Sequence, residues 1–229
     1  KRYMYIVIHP YFHDKIRIKY SKTEDVSDVS EIEHPIVREC LKKVKIERGV
    51  EIASFADVPK GTGLGSSSSF TVGLLNALYT HKGILVTKEQ LAREACEIEI
   101  DILGGPIGKQ DQYIASFGGI NYIRFNKDES VEVLPMHISQ SVREKMEMNL
   151  CLYYIGGERM AGSILSEQKK NMSSGEKIDM VKSILSLVDD LRKVLEEEKV
   201  DSVGEILHKG WFYKKELADN IANEKINKF

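Results

Sequence analysis

The sequence predicts an α+β fold divided into two domains, and three observations support this prediction. Short β-branched and aromatic runs, together with two apolar helical patterns, occupy the chain up to residue 146. Beyond that point one long apolar stripe at helical spacing dominates. A length of 229 residues suits one large domain or two small ones. We therefore expect one domain at residues 1–146 and a second at residues 147–229.

Strands and one helix are predicted at the start of the chain. Residues 3–8 are β-branched and aromatic, and residues 15–20 alternate polar with apolar, so we expect a hairpin with one solvated face. A proline in the first turn, Pro35, favours a helix over residues 35–41. Residues 50–56 have the composition of a further strand, which leads directly into a segment rich in glycine and serine.

Helical spacing predicts three more helices, whose apolar faces are Phe70, Leu74, Leu75 and Leu78 in the first, Leu91, Ala95 and Ile98 in the second, and Met180, Ile184, Leu187, Val188, Leu191 and Leu195 in the third. Between the second and the third, residues 119–125 and 131–136 favour a hairpin around a polar turn. Residues 148–155 have the apolar character of a buried strand.

Composition and charge exclude several classes of protein. The chain is 42% hydrophobic and 30% charged, which is typical of a globular protein and not of a disordered one. Its 33 basic and 35 acidic residues give a net charge of -2, so no global basic field attracts nucleic acid. No apolar run approaches the roughly 18 residues that span a membrane. The three cysteines form no CxxC pair. We therefore expect a cytoplasmic protein with reduced thiols that binds neither nucleic acid nor membrane.

The most informative segment is the Gly/Ser loop at residues 57–70. Glycines at alternate positions, Gly61, Gly63 and Gly65, let the backbone adopt positive φ and approach a ligand closely. Four serines at residues 66–69 then open a helix, whose N-terminal amides and dipole favour an anion. The spacing matches neither the Walker A motif nor the Rossmann fingerprint. We expect this loop to hold the phosphates of a nucleotide; the alternative is a flexible turn with a redundant serine cap.

Acidic residues crowd the end of the second predicted helix, at Glu94, Glu97, Glu99 and Asp101. Carboxylates oppose the dipole at a helix C-terminus, and a magnesium ion would compensate this cost. The Gly/Pro stretch at residues 103–108 should fold the chain back and bring Asp111 near the carboxylates. Phosphoryl transfer needs both a metal and a carboxylate that orients the nucleophile. The alternatives are a helix N-cap for Asp111 and a solvated face for most of the glutamates.

The motifs at residues 59–69, Glu99 and residues 108–112 together resemble the GHMP kinase family, in particular its group that phosphorylates D-glycero-D-manno-heptose 7-phosphate. The resemblance is continuous over residues 3–126 and weaker over residues 211–221. It implies an N-terminal domain like domain 2 of ribosomal protein S5 and a ferredoxin-like C-terminal domain. It also implies that both domains lack terminal pieces: the first strand with its glycine-rich loop, and a third, glycine-rich motif.

By this resemblance, Asp111 is the catalytic aspartate, and Ser67 and Glu99 are ligands of Mg²⁺. The residues implied to hold the phosphates of ATP are Gly61, Gly63, Leu64, Gly65, Ser66, Ser67, Ser68 and Ser69. The implied activity is ATP-dependent phosphorylation of the anomeric hydroxyl of a sugar phosphate. Two alternatives stay open: a kinase for an unphosphorylated sugar such as galactose or fucose, and a non-catalytic nucleotide-binding fragment. A homodimer is a possible assembly.

Overall fold

The computed structural model describes residues 2–59, 61–153, 175–217, 221 and 226. The chain divides into two compact units, Lys1–Gly119 and Ile120–Phe229. The predicted boundary near residue 146 thus lies inside the second unit. The difference arises because the hairpin after residue 120 is bound to a helix of the second unit, where the Tyr122 hydroxyl donates a hydrogen bond to Asp189 Oδ1 at 3.0 Å.

The first unit contains a four-stranded sheet. Its strands are β1 (Met4–Pro10), β2 (Ile16–Lys19), β3 (Thr23–Val26) and β4 (Val50–Ala56), in the order β1-β4-β2-β3. β4 pairs antiparallel with β1 and parallel with β2, and β2 pairs antiparallel with β3. The predicted hairpin between the first two strands is therefore wrong. Val50 and Ile52 are almost fully buried, and their burial explains why β4 lies between β1 and β2.

Four α-helices accompany this sheet: α1 (Pro35–Val44), α2 (Ser66–His81), α3 (Lys88–Cys96) and α4 (Gln110–Phe117). A π-helical segment, Glu97–Ile102, continues directly from α3. The three helices predicted in this part of the sequence are confirmed. Leu74, Leu75 and Leu78 of α2 are fully buried and share one core with Ile18 and Ile52 of the sheet. This core holds the first turn of α2 and the end of α3 in place.

The second unit contains the predicted hairpin, whose strands are β5 (Asn121–Phe125) and β6 (Val131–Pro135), and the helices α5 (Gln140–Asn149), α6 (Gly175–Glu196) and α7 (Val203–Lys215). A small core of Val142, Leu195, Val200 and Val203 joins the helices. The long helix predicted from the last apolar stripe is confirmed as α6. In the described part of this unit the sheet has two strands, and the ferredoxin-like architecture stays a prediction.

The predicted strand at residues 148–155 is not found over its described part. Met148 is the penultimate residue of α5, because the Ser139 hydroxyl caps this helix at the Val142 amide and its turns continue to the Leu150 amide. Residues 150–153 form no strand and are exposed, and residues 154 and 155 lie outside the described residues. Among the described residues, no helix combines the length and the apolar character needed to cross a membrane.

Candidate active site

The Gly/Ser loop adopts the backbone conformation that its glycines predict. Gly61, Gly63 and Gly65 have φ angles of 76°, 72° and 68°, in the left-handed region where a side chain is strained. Gly65 stands at the N-cap of α2 and has no side chain to accept hydrogen bonds from the first amides of the helix. The alternative of a serine N-cap is therefore wrong. The helix begins at Ser66 with its dipole directed at the loop.

Ser67 and Glu99 are in direct contact. The Ser67 hydroxyl donates a hydrogen bond of 2.5 Å to Glu99 Oε1. The backbone carbonyl of Ser67 accepts a hydrogen bond of 3.0 Å from the Thr71 hydroxyl, which lies one turn further along α2. Glu99 is only 4% exposed, so this carboxylate is held inside the protein with its Oε1 oxygen turned towards the first turn of α2.

The other glutamates of the acidic cluster have different partners. Glu97 Oε2 accepts a hydrogen bond of 2.6 Å from Lys43 Nζ of α1. Glu94 Oε2 accepts one of 2.8 Å from the Tyr79 hydroxyl, and burial, with the hydrogen bond and charge of this carboxylate, raises the pKa of Tyr79 to about 12. Tyr79 lies further along α2, so of the three glutamates Glu99 is the one that accepts a hydrogen bond from the Gly/Ser loop itself.

The π-helical segment and the turn after it determine where Glu99 lies. The amide of Leu103 donates to the Ile98 carbonyl at 3.0 Å, and the amide of Gly105 donates to the Glu99 carbonyl at 2.9 Å. A Cβ atom at Gly105 would stand 2.7 Å from the Glu99 carbonyl oxygen, so this close turn requires glycine. The predicted reversal of the chain is confirmed, whereas neither the π-helical segment nor this close approach was predicted from the sequence.

Asp111 lies against the Gly/Ser loop. The position of a Cβ atom at Gly65 would be 3.1 Å from Asp111 Cγ and 3.2 Å from its Oδ2. Asp111 is exposed and belongs to the first turn of α4, whose N-cap position is taken by Lys109. The alternative of an Asp111 N-cap is therefore wrong. The structure brings the loop, Glu99 and Asp111 together from three separate elements.

The remaining loop residues differ in exposure. Leu64 is 48% exposed, whereas Ser68 is 3% exposed, so its side chain is turned into the protein. Ser66 and Ser69 are half-buried. No atom of the described residues lies within 4 Å of a Cβ position at Gly63, so the space beside this residue is open in that part of the structure.

Ser67 and Glu99 have the chemistry that a magnesium ion requires. Mg²⁺ prefers oxygen ligands and is commonly held by one or two protein side chains together with phosphate oxygens and water. The hydroxyl and the carboxylate supply two such oxygens at one point. Within residues 2–59, 61–153 and 175–217, no group of three or more His, Cys, Asp or Glu side chains could hold a metal by itself. These two oxygens fit a cation whose remaining ligands are phosphate oxygens and water.

Gln112 is a site residue that the sequence analysis did not identify. Its Nε2 donates a hydrogen bond of 2.8 Å to Glu99 Oε2, and its side chain is fully buried. Glutamine at this position carries no charge and breaks no local pattern. The sequence signal that could have found it is its place directly after Asp111, in the short segment that the chain reversal brings to Glu99.

Comparison with known proteins found a family model and several relatives that match this chain. Residues 34–119 match the model of the GHMP kinases N terminal domain. A D-glycero-alpha-D-manno-heptose 7-phosphate kinase of Campylobacter jejuni is 28% identical over 193 residues, 84% of this chain and 56% of that protein. The bifunctional fucokinase/GDP-fucose pyrophosphorylase of Arabidopsis thaliana is 27% identical over 188 residues, 79% of this chain and 17% of that protein.

A similar fold is found in the crystal structure of a D-glycero-D-manno-heptose 1-phosphate kinase from Bacteroides thetaiotaomicron, with a TM-score of 0.76, 24% identity, and coverage of 93% of this chain and 67% of that one. The chain spans about half the length of the Campylobacter relative. The region that matches the family model contains Ser67, Glu99 and Asp111. Residues 34–119 are therefore similar to the N-terminal domain of GHMP kinases, and the similarity to the heptose 7-phosphate kinase extends over 84% of the chain.

Proposed function

We propose that this chain is part of an ATP-dependent kinase that phosphorylates the anomeric hydroxyl of a sugar phosphate, D-glycero-D-manno-heptose 7-phosphate. The observation that carries this proposal is the hydrogen bond from Ser67, in the first turn of α2, to Glu99. Asp111 lies against the loop that precedes this turn. A hydroxyl, a carboxylate and a second carboxylate at the N-terminus of a helix are the groups that phosphoryl transfer requires. The similarity to the Campylobacter heptose 7-phosphate kinase supports the choice of substrate.

In this proposal the Gly/Ser loop binds the phosphates of ATP. The positive φ angles of its glycines allow the backbone to approach an anion closely, and the dipole of α2 favours negative charge at its start. The open space beside Gly63 would admit a phosphate. The residues proposed to line the phosphates are Gly61, Gly63, Leu64, Gly65, Ser66, Ser67, Ser68 and Ser69, and Ser68 would do so through its backbone because its side chain is buried.

Ser67 and Glu99 are the residues that would hold Mg²⁺. When it is bound, the ion neutralises part of the charge on the phosphates. The protein's own contribution is to keep the Ser67 hydroxyl and the Glu99 carboxylate at one point before any ligand arrives, and both are already in contact at 2.5 Å. This preorganisation reduces the cost of ordering the ligands upon binding.

Asp111 would orient the hydroxyl of the sugar and accept its proton. Phosphoryl transfer through a loose transition state demands little activation of the nucleophile, so positioning is the larger part of this role. Asp111 is exposed and lies beside the N-terminus of α2, where a substrate hydroxyl can reach both it and the proposed phosphate position. A carboxylate there is placed to act as a general base.

One alternative substrate has support from a specific observation. The similarity to a plant fucokinase over 188 residues favours an unphosphorylated sugar such as fucose, with galactose as a related choice. A non-catalytic nucleotide-binding fragment is less well supported, because Ser67, Glu99 and Asp111 are all present and near one another. We propose a cytoplasmic enzyme that forms a homodimer and binds neither nucleic acid nor a membrane.

The test is a coupled assay of ADP release by the intact protein with ATP, Mg²⁺ and one of three acceptors: D-glycero-D-manno-heptose 7-phosphate, galactose or fucose. We expect turnover with the heptose phosphate and a 1,7-bisphosphate product that phosphorus NMR identifies. Glu97→Gln is the control variant and should retain this turnover, because the Glu97 side chain pairs with Lys43 of α1. Turnover with fucose or galactose alone would support the alternative substrate, and no turnover with any acceptor would refute the proposal.

A further inference from the structure

Gln112 is a buried side chain whose hydrogen bonding is incomplete. It directly follows Asp111 as the third residue of α4, it is fully buried, and its Nε2 donates a hydrogen bond to Glu99 Oε2 at 2.8 Å. Its Oε1 has no hydrogen-bond partner among the described residues. Buried polar atoms are nearly always paired, and an unpaired one lowers stability. The buried amide of Gln112 therefore costs stability, and the contact that it provides in return is the hydrogen bond to Glu99.

We propose that Gln112 is a positioning residue for the metal ligand Glu99, which it holds so that the Oε1 oxygen faces Ser67. This inference rests on the proposed function, in which Ser67 and Glu99 hold the Mg²⁺ of ATP. Gln112 does not touch the substrate or the metal in this role. It acts by orienting Glu99 before the nucleotide binds.

The chemistry of the three side chains determines the orientation. An ionised carboxylate only accepts hydrogen bonds, and the NH₂ group of an amide only donates them. Gln112 therefore directs Nε2 at Glu99 Oε2, while the Ser67 hydroxyl donates to Oε1. If the amide were turned over, its oxygen would face a carboxylate oxygen with no proton between them. Two donors from opposite sides thus leave Glu99 with one favourable arrangement.

The position of Gln112 in the chain gives this contact a second consequence. Gln112 follows Asp111 in α4, while Glu99 lies in the π-helical segment and Ser67 in α2. The two hydrogen bonds of Glu99 therefore connect three elements, one of which also carries Asp111. A change in the orientation of Glu99 cannot occur without breaking the contact to α4. Partners of metal-binding side chains commonly affect metal affinity about ten- to a hundredfold for this reason.

The same domain contains a matched pair of interactions that provides a control. Glu94 is 6% exposed and accepts hydrogen bonds from the Tyr79 hydroxyl at 2.8 Å and from Gln90 Nε2 at 3.0 Å. It is thus a second buried glutamate held by one hydroxyl and one glutamine. Neither Tyr79 nor Gln90 belongs to the Gly/Ser loop. Loss of Gln90 should affect stability without affecting metal binding at Ser67.

The experiment compares Gln112→Met with Gln90→Met in the intact protein. Methionine is unbranched and similar in size, so both changes remove an amide with little change in volume. Binding of Mn²⁺ is measured by electron paramagnetic resonance in the presence of a non-hydrolysable ATP analogue. We expect Gln112→Met to weaken Mn²⁺ binding about ten- to a hundredfold. We expect Gln90→Met to retain the wild-type affinity for Mn²⁺, and both variants to retain the affinity for the analogue measured in EDTA.

A double-mutant cycle separates positioning from a general effect on the fold. If Gln112 acts through Glu99, Gln112→Met should cause no further loss of Mn²⁺ affinity in a Glu99→Gln protein. An additive loss would overturn the inference. Gln112→Asn, whose shorter amide cannot reach Glu99, should give the same loss as Gln112→Met and provides a second variant should the methionine protein fail to fold.

Two other results are decisive. Wild-type affinity for Mn²⁺ in folded Gln112→Met or Gln112→Asn would overturn the inference and leave the proposed function standing. Absence of Mn²⁺ and nucleotide binding in the wild-type protein would overturn the proposed function, and the inference with it.

Discussion

Replacement of Gly65 by alanine tests the contact between the Gly/Ser loop and Asp111. Gly65 has a φ angle of 68°, and the Cβ atom of an alanine there would lie 3.1 Å from Asp111 Cγ. Gly83 is the matched control, since its φ angle is 70° and none of the residues that the structure describes comes within 4 Å of a Cβ atom at that position. The two variants therefore share the same backbone strain and differ in the contact with Asp111.

The magnitudes follow from these distances. A left-handed conformation costs a non-glycine residue about 1–2 kcal/mol, so both variants should be destabilised by this amount. For a chain of this length each kcal/mol lowers Tm by about 2–4 °C. Carbon atoms prefer separations of about 3.5–4.0 Å, so Asp111 must move by a few tenths of an ångström in Gly65→Ala only. Because a misplacement of about 1 Å costs roughly a hundredfold in rate, we expect about a tenfold loss of turnover.

The assay combines thermal denaturation with kcat measured at saturating ATP and sugar phosphate. We expect similar decreases of Tm in Gly65→Ala and Gly83→Ala, and a lower kcat in Gly65→Ala alone. ATP affinity is measured separately, so that an effect on the loop is not mistaken for an effect on Asp111. Equal kcat values in the two variants would show that a Cβ atom at Gly65 does not displace Asp111 enough to affect turnover, and would refute the reasoning.

Three further predictions concern the same site. Asp111→Asn should lower turnover about a hundredfold or more with little change in ATP affinity, measured by steady-state kinetics and equilibrium binding; near-normal turnover would remove this carboxylate from the mechanism. Ser67→Ala and Glu99→Gln should each raise the Mg²⁺ concentration needed for half-maximal activity, whereas Glu97→Gln should not. An effect of Glu97→Gln without an effect of Glu99→Gln would show that Glu97, and not Glu99, is the metal ligand. Gly63→Val should abolish ATP binding, measured by calorimetry, in a protein whose circular dichroism is unchanged, because the side chain enters the open space beside the loop; undiminished ATP affinity would contradict the proposed path of the phosphates.

Local features of the fold followed from the sequence because they depend on neighbouring residues. The helix after Pro35, the strand ending at Ala56 and the hairpin at residues 121–135 all lie where residue type and periodicity place them. The order of the strands did not follow, because β4 enters the sheet between β1 and β2. This order depends on the burial of β4 among residues distant in sequence, for which no local pattern exists.

From the sequence alone, the positive φ angles of the Gly/Ser loop and the reversal of the chain before Asp111 could be expected, and the anion site at this loop stays a prediction. Both depend on the backbone freedom of glycine and the rigidity of proline, which act within a few residues. The residue pattern left several glutamates as possible metal ligands, and only the family resemblance selected Glu99.

Tertiary structure decided how these pieces meet. Lys43 pairs with Glu97. Ser67 and Gln112 each donate a hydrogen bond to one oxygen of the Glu99 carboxylate. Each of these contacts joins residues far apart in the chain or across a turn, and each depends on a π-helical segment that no periodicity predicted. The physical reason is that a carboxylate's partners are set by packing of whole elements, whereas a loop's backbone conformation is set by the residues that form it.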